Sequence, residues 1–312
     1  MLSTGVAFDW ASVDVTVPRP SDRLPGISMA GFGQRVPTFV DIAMVAHPSV
    51  TLLVDLSEGD GLVYGTAGRH GRGSVIVGLL PGDLRASGRV GECLQIRLDP
   101  VAAAAVLGSS TEFCGTVESL RDVWGHDAER AEDRLRAAAS WDERFAIAVE
   151  FLGRRMTDRR PSVDAEVAHT WRRTLTSRGR MRVDGLADEA GWSRKRLSAR
   201  FRSQLGITPK RAARLVRFDH AAHLLAAGFA PASVASASGY VDQSHLHHEV
   251  KAFTGLTPTA VAAAPWLAID DVAWPGSSPT NQRSTAALYG CGPERRVPEA
   301  GTERGGRGAG AR

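Results

Sequence analysis

The feature that most constrains the fold of this 312-residue chain is a motif that occurs twice between Leu186 and Val261. Each copy has a short apolar segment, a glycine followed by an aromatic residue, apolar residues one helical turn apart, and a Gly-x-Thr-Pro ending. The first copy contains Leu186-Ala187, Gly191-Trp192, Leu197, Phe201 and Gly206-Ile207-Thr208-Pro209, and the second contains Val234-Ala235, Gly239-Tyr240, Leu246, Val250 and Gly255-Leu256-Thr257-Pro258. Because glycine accepts positive φ at a tight turn between two helices, the pattern predicts two tandem helix-turn-helix units.

The spacing of the two copies supports a duplication. Gly191 and Gly239 are 48 residues apart, whereas Pro209 and Pro258 are 49 apart. The second copy is therefore one residue longer, in the turn between Tyr240 and Leu246, where an insertion is tolerated.

A long helix is predicted between the copies. Thr208 suits an N-cap, Pro209 the first helical position and Gly228 the end, and the apolar stripe is Leu215, Phe218, Ala222 and Leu225. About 19 helical residues span about 28 Å, close to the roughly 34 Å between successive major-groove faces of DNA. One chain could therefore place both second helices in neighbouring grooves.

The distribution of charge is more informative than its total. The chain has 38 basic and 34 acidic residues, but nine basic and no acidic residues lie between Ser193 and Arg217. Such a segment is typical of a surface that faces a polyanion. The alternative is that arginine is merely common on the helices of an Arg- and Ala-rich chain.

The motifs resemble a known family. The run Gly239-Tyr240-Val241-Asp242-Gln243-Ser244-His245-Leu246, with Lys251 and Gly255-Leu256-Thr257-Pro258, resembles the signature of the AraC/XylS family of bacterial transcription regulators, and Gly191-Trp192-Ser193 through Pro209 resembles that family's first helix-turn-helix. The resemblance covers about 100 residues, from near Ser162 to Pro265. Val250, where the family usually has Phe, and Ala260-Val261 depart from the pattern and predict a slightly thinner second core.

Base-reading candidates lie on the outward side of each second helix, near its start. With Leu197, Phe201 and Leu205 facing inward, Arg194 faces the groove, and the resemblance puts Lys195, Ser198 and Ala199 at base-contacting positions. In the second unit the outward residues, which match the family's base readers, are Gln243, Ser244, His245 and His248. Gln243 suits adenine.

Other polar residues in this region have different expected roles. The phosphate-contacting candidates, which set affinity more than sequence choice, are Arg196, Arg200, Arg202, Arg211 and Lys251. Asp242 is predicted to be an N-cap, because a carboxylate beside phosphates would be repelled. His245, His247 and His248 invite a metal interpretation, but no Cys, Asp or Glu completes a set, so we expect neither metal nor cofactor.

The rest of the chain predicts an α+β protein with three parts. Residues 1–158 are expected to form a β-rich sensor or dimerisation domain with a helical end, residues 162–265 the DNA-binding domain with units at about 183–206 and 231–255, and residues 275–312 a disordered tail. After a turn-rich lead-in strand or arm up to about Arg35, strands are expected at residues 39–45, 50–56, 62–64, 75–80 and 93–98, which suggests a small antiparallel barrel or sandwich. Helices are expected at 101–107, 117–124 and 128–139, with a further one restarting at a Ser140/Glu143 capping box.

The resemblance also implies a function for the first half. Regulators of this family pair the DNA-binding half with a variable β-rich half that senses a small molecule or dimerises. The residues here that could line a ligand pocket are Trp10, Phe39, His47, Tyr64 and His70, and ordinary packing is the alternative for each. His47 and His70 alone do not supply a cupin-type metal site.

Cysteines and hydropathy limit the remaining classes. Cys93, Cys114 and Cys291 are an odd number without a close pair, which fits a reducing compartment, and no signal peptide or membrane span is visible, so we expect a cytoplasmic chain associated with the nucleoid. We expect double-stranded DNA as the partner, no membrane and no enzymatic activity. RNA polymerase, a small-molecule effector and a second copy of the chain are further partners to test. The alternatives are a DNA-repair alkyl-transfer protein using Cys93 or Cys114, and a nonspecific architectural protein.

Overall fold

A computed structural model of the chain describes residues 13–22, 24–43, 45–57, 61–66, 69–79, 84–108, 111–157, 163–263 and 273–274. In the N-terminal half of these residues, eight strands form one antiparallel sheet. The strands are β1 (Asp14–Thr16), β2 (Ile27–Ala43), β3 (Val50–Asp55), β4 (Leu62–Thr66), β5 (Arg69–Arg72), β6 (Val75–Val77), β7 (Arg85–Leu98) and β8 (Val117–Ser119).

The long strand β7 organises the sheet. Its second half pairs with β3 and its first half with β4, while β2 pairs along both halves, from Ile27↔Leu98 to Ala43↔Arg85. Side chains alternate between the two faces of the strands. Leu52 and Leu94 pack toward the helices, whereas Leu53 and Tyr64 fill the other side, inside the curved sheet.

Helices follow the sheet, and one of them starts at the predicted capping box. They are α1 (Pro100–Leu107), α2 (Leu120–Trp124), α3 (His126–Ala137) and α4 (Trp141–Thr157). The Glu143 backbone N–H donates to Ser140 Oγ at 3.3 Å, and the Ala139 N–H donates to Glu143 Oε2 at 2.9 Å. These bonds satisfy amide groups that the first turn of a helix leaves without partners.

The C-terminal half is helical. It contains α5 (Ala165–Thr176), α6 (Val183–Glu189), α7 (Arg194–Leu205), α8 (Pro209–Ala226), α9 (Pro231–Ala237), α10 (Gln243–Thr254) and α11 (Pro258–Ala262). Helices α6 and α7 form the first helix-turn-helix, α9 and α10 form the second, and α8 joins them. Gly191 and Gly239 have φ of 65° and 74° in the turns, as the motif predicts.

The two halves share an apolar core. One cluster of buried side chains extends from Leu94 of the sheet through Val106 of α1 to Phe201 and Leu205 of α7. The predicted fold class is therefore confirmed: an antiparallel sheet with helices, followed by an all-helical domain. The predicted boundary between 158 and 162 lies outside the described residues, as does the tail.

One local prediction was too coarse and another was wrong. The stretch predicted as a lead-in strand or arm contains β1 and the first half of β2, whose small residues Ser28, Ala30 and Gly31 hide the usual strand pattern. The ring of Trp141 lies against Gly31, where a side chain would not fit. The helix predicted over 117–124 begins as strand β8, with Val117 opposite Val77, and turns helical only after the Ser119 cap.

Candidate nucleic-acid interface

Both second helices of the motif begin at a side-chain cap. Ser193 Oγ accepts the Arg196 backbone N–H at 3.2 Å at the start of α7, and Asp242 Oδ1 accepts the His245 N–H at 2.7 Å at the start of α10. The N-cap role predicted for Asp242 is thus observed. Capping fixes the first turn of each helix, which is the part that reads base edges in this class of fold.

Each of these helices buries one side and exposes the other. Leu197, Phe201 and Leu205 of α7, and Leu246 and Val250 of α10, are completely buried. On the outward sides, Ser198 is half-buried, and the exposed residues are Arg194, Lys195, Ala199, Gln243, Ser244, His245 and His248. The residues predicted to read bases therefore lie on the outward sides of the two helices.

Two ion pairs attach α7 to neighbouring segments. Each of them involves an arginine that was predicted to contact DNA. The Arg200 guanidinium donates to both carboxylate oxygens of Asp164 at 2.8 Å, which holds the pKa of Asp164 below its usual range. Arg194 Nε lies 2.8 Å from Asp184 Oδ1. These two arginines orient the first unit internally, so DNA would have to compete for them.

Helix α10 is attached to α8 by a more buried pair. Arg214 donates to Glu249 Oε1 and Oε2 at 2.8 and 3.0 Å, and these bonds raise the pKa of Arg214. The Glu249 side chain is 8% exposed. Removing Arg214 would therefore leave the Glu249 carboxylate poorly solvated and without its cationic partner.

The second core contains the fully buried Val250 and an aromatic ring one helical turn away from it. Phe253, one turn further along α10, stacks on Phe218 of α8 with ring centroids 4.8 Å apart and is 6% exposed. An aromatic ring thus occupies this core from a different position of the same helix.

The other predicted phosphate contacts lie at the surface. Arg196 lies over the Trp192 ring at 4.5 Å, and Arg202, Arg211 and Lys251 are exposed. Stacking on the indole ring limits the motion of the Arg196 guanidinium. These four side chains are the more accessible cations of the predicted set.

The two cysteines proposed as transfer thiols are poorly suited to that chemistry. Cys93 is buried in the sheet, and burial raises the pKa of its thiol far above the ordinary value. Burial also raises the pKa of the half-buried Cys114. Because the thiolate is the nucleophile, both shifts oppose alkyl transfer at neutral pH.

Of the pocket residues predicted in the first half, those with described side chains do not come together. Phe39 is 61% exposed, Tyr64 is packed inside the curved sheet, His70 lies in β5, and Trp10 is outside the described residues. Among the described side chains of this set, that of His47 lines a cavity, which lies between the two halves of the molecule. Sequence reasoning missed the cavity's other polar residues, since they come from distant segments.

In the part of the chain that the structure describes, every helix is too short or too polar to cross a lipid bilayer.

The chain was compared with known families, curated proteins and solved structures. Residues 186–264 match the family described as a helix-turn-helix domain. No curated protein matches the chain. Similar solved structures include ToxT from Vibrio cholerae O395, 10% identical over 81% of this chain and 98% of that chain with a TM-score of 0.44. The C-terminal domain of AraT, a response regulator from Geobacillus stearothermophilus, is 20% identical over 32% and 86% of the two chains with a TM-score of 0.31. The transcriptional regulator CdpR from Pseudomonas aeruginosa is 18% identical over 56% and 46%, with a TM-score of 0.25.

The duplicated helix-turn-helix, with capped helices that expose basic and amide side chains, defines a DNA-binding protein. Residues 186–264 therefore form a helix-turn-helix domain of the matched family.

Proposed function

We propose that the chain is a sequence-specific regulator that places α7 and α10 in adjacent major grooves on one side of a DNA duplex. The observation that carries this proposal is the attachment of both helices to α8. Helix α8 has 18 residues, which corresponds to about 27 Å, near the roughly 34 Å that separates successive major-groove faces.

We assign different roles to the exposed side chains. Lys195, Ser198, Ala199, Gln243, Ser244, His245 and His248 are proposed base readers, and Arg196, Arg202, Arg211 and Lys251 are proposed phosphate contacts. Arg194 and Arg200 can contact DNA only if they leave their carboxylate partners. These partners are Asp184 for Arg194 and Asp164 for Arg200. Phosphate contacts supply affinity for any sequence, whereas base contacts distinguish one sequence from another.

The proposal is tested by selecting bound fragments from random duplex DNA with the full-length protein, then measuring affinity for the selected site and for random DNA. A regulator should prefer its site by about 10³-fold or more. A preference below about tenfold would favour the architectural alternative.

Three variants then separate the roles. Gln243→Ala should weaken binding by about 1–3 kcal/mol at one base position only. Lys251→Ala should weaken binding to all sequences and reduce the slope of log K against log salt by about one. Arg130→Ala, which removes an exposed cation from α3, is the control. It should change neither the affinity for DNA nor the dependence of that affinity on salt. If the Gln243 and Lys251 variants each weakened binding to the selected site and to random DNA equally, the division into base readers and phosphate contacts would be refuted.

We further expect the protein to act in the cytoplasm, together with RNA polymerase, and its first half to respond to an effector. Native mass measurement with and without the selected DNA would determine whether one or two copies bind.

A further inference from the structure

Helix α10 carries three histidines, and the side chains of all three are exposed: His245, His247 and His248. Leu246 and Val250 of the same helix are completely buried. At about 100° of rotation per residue, His248 lies roughly 160° around the helix from Leu246, and the other two histidines lie on either flank, about 100° from it. The imidazoles therefore occupy the side of α10 that is proposed to face DNA.

Two contacts hold the first turn of α10 and its imidazoles in place. The His245 ring lies edge-on to the Tyr240 ring, with centroids 5.3 Å apart, and the His245 backbone N–H donates to the Asp242 carboxylate at 2.7 Å. The rings of His247 and His248 are 6.4 Å apart. Because the three side chains are exposed, they can take up protons from solvent and contact a partner molecule without any rearrangement of the helix.

The elements packed against α10 bring mainly positive charge to it. Helices α9 and α11 contain no ionisable residue. In α8, Arg214 is paired with Glu249, and the Arg217 guanidinium lies 5.5 Å from the centre of the Tyr240 ring. The Arg180 side chain lies beside Gly239, in the turn before α10. Arg217 and Arg180 therefore contribute unneutralised positive charge close to the start of α10.

The charged groups of α10 itself nearly cancel. Asp242 lies at its start and the exposed Lys251 in its last turn. Burial raises the pKa of Tyr240, so this phenol stays neutral between pH 6 and pH 8. Protonation of the histidines in the free chain would thus add charge to a surface that is already positive. A bound polyanion would reverse that electric field and favour the protonated imidazoles.

DNA supplies such a field at high density. A duplex carries one phosphate charge for about every 1.7 Å of its axis. Histidine has an ordinary pKa near 6.5, so its charge changes in the range in which a nearby phosphate has the largest effect on it. If the complex holds more protons than the free protein, linkage requires the affinity to rise as the pH falls.

We propose that DNA binding by α10 is coupled to proton uptake by His245, His247 and His248, so that the protein binds DNA more tightly at pH 6 than at pH 8. This inference rests on the proposed function and adds its regulation. The corresponding helix of the first unit, α7, contains arginine and lysine but no histidine. The contribution of the first unit therefore stays constant over this range, and the pH acts on the second unit.

The size of the effect follows from linkage. If phosphates favour each protonated imidazole by about tenfold, the affinity should rise by about sixfold for each histidine between pH 8 and pH 6. Each imidazolium that neutralises a phosphate should also steepen the slope of log K against log salt by about 0.9. The two effects should appear together, because both come from the same added charge.

The test uses fluorescence anisotropy titrations of the full-length protein with the selected site and with random duplex DNA, at pH 6, 7 and 8 and constant ionic strength. We expect the affinity to rise by at least about sixfold from pH 8 to pH 6, and the salt slope to be steeper at pH 6. A change in affinity of less than about twofold overturns the proposal.

Variants locate the protons. The triple variant with His245→Gln, His247→Gln and His248→Gln should show an affinity that no longer changes between pH 6 and pH 8, whatever its value at pH 8. His126→Gln removes an exposed imidazole from α3 and is the control, which should keep the wild-type pH dependence. Circular dichroism checks that both variants are folded. A triple variant with the wild-type pH dependence overturns the assignment to α10.

A permanent charge separates protonation from a merely structural role of the ring. His248→Lys should bind DNA more tightly than His248→Gln at pH 8, because lysine is charged there, and both should lose the same share of the pH dependence. Equal affinities of the Lys and Gln variants at pH 8 would contradict a role for charge at this position.

The outcomes for the proposed function are separate. A strong preference for the selected site with an affinity that does not change with pH overturns the proton linkage alone. Binding to random DNA that strengthens as the pH falls, without preference for any selected site, supports the linkage and refutes sequence-specific regulation.

Discussion

Asp242 illustrates how one side chain can serve the site without contacting DNA. Its carboxylate accepts the His245 N–H and fixes the start of α10. Asp242→Ala should therefore reduce the free energy of unfolding by about 1 kcal/mol, and it should weaken DNA binding through fraying of the first turn. Asp242→Asn keeps an acceptor and is the control. Urea denaturation checks the prediction, and an Asn variant as unstable as the Ala variant would contradict it.

His220 predicts a pH dependence of stability. Its pKa is lowered from 6.5 to about 4 in the folded chain. Between these values the unfolded chain binds more protons, so the free energy of unfolding falls as the pH falls, by at most about 1.4 kcal/mol per pH unit for one proton. Burial is the largest cause of this lowered pKa, followed by the charges of Arg178, Arg180 and His223.

The variant His220→Gln retains an acceptor for Arg178 but cannot take up this proton. Denaturation at pH 7, 6 and 5 should give a shallower pH dependence than wild type. His247→Gln, which removes an exposed imidazole of α10, serves as the control. If the free energy of unfolding changed with pH equally in His220→Gln and in wild type, His220 would not be the source of the pH dependence.

At the scale of elements, the orientation of α10 on α8 depends on Arg214 and Glu249. A double-mutant cycle with Arg214→Ala and Glu249→Ala should give a coupling free energy in unfolding of about 1–3 kcal/mol, since Glu249 is nearly buried. The exposed pair Arg130 and Asp127 on α3 is the control, with an expected coupling below about 1 kcal/mol. Equal coupling in the two pairs would mean that the burial of Glu249 adds nothing.

Elements defined by local sequence were predictable. The turn glycines, the caps at Ser193, Thr208 and Asp242, and the apolar spacing of α7 and α10 depend on neighbours within a few residues. The extent of β2 was harder to predict, since the glycine at position 31 is explained by the ring of Trp141, far along the chain. The stacking of Phe253 on Phe218 likewise joins positions on two different helices.

The proposed site also has a part that could be predicted from local sequence and a part that could not. The outward residues of α7 and α10 follow from helical periodicity. The pairing of Arg200 with Asp164 and of Arg178 with His220 joins positions 36 and 42 residues apart and requires the folded chain. Long-range pairing of this kind leaves no periodic signal in the sequence. Of the residues that line the cavity between the two halves, the sequence therefore indicated only His47.

At the scale of the whole molecule, the two halves are joined by close packing at Gly206, just after α7. Its φ is 78°, and an added Cβ would lie 3.0 Å from Cys114 Cβ and 3.1 Å from Thr111 Cα. Gly206→Ala should therefore cost more than the roughly 1–2 kcal/mol of left-handed strain. Gly191→Ala is a matched control, because its φ is 65° and nothing lies within 4 Å. Urea denaturation should find Gly206→Ala the less stable; equal losses would contradict a contact between the halves at this point.

The uninterrupted helix α8 has a consequence for the DNA that the protein selects. A single stiff connector cannot lengthen to follow two half-sites that move apart. The two half-sites should therefore tolerate no inserted base pairs between them: five extra pairs, about half a turn of the duplex, would carry the second half-site to the far side and reduce binding to that of one unit alone.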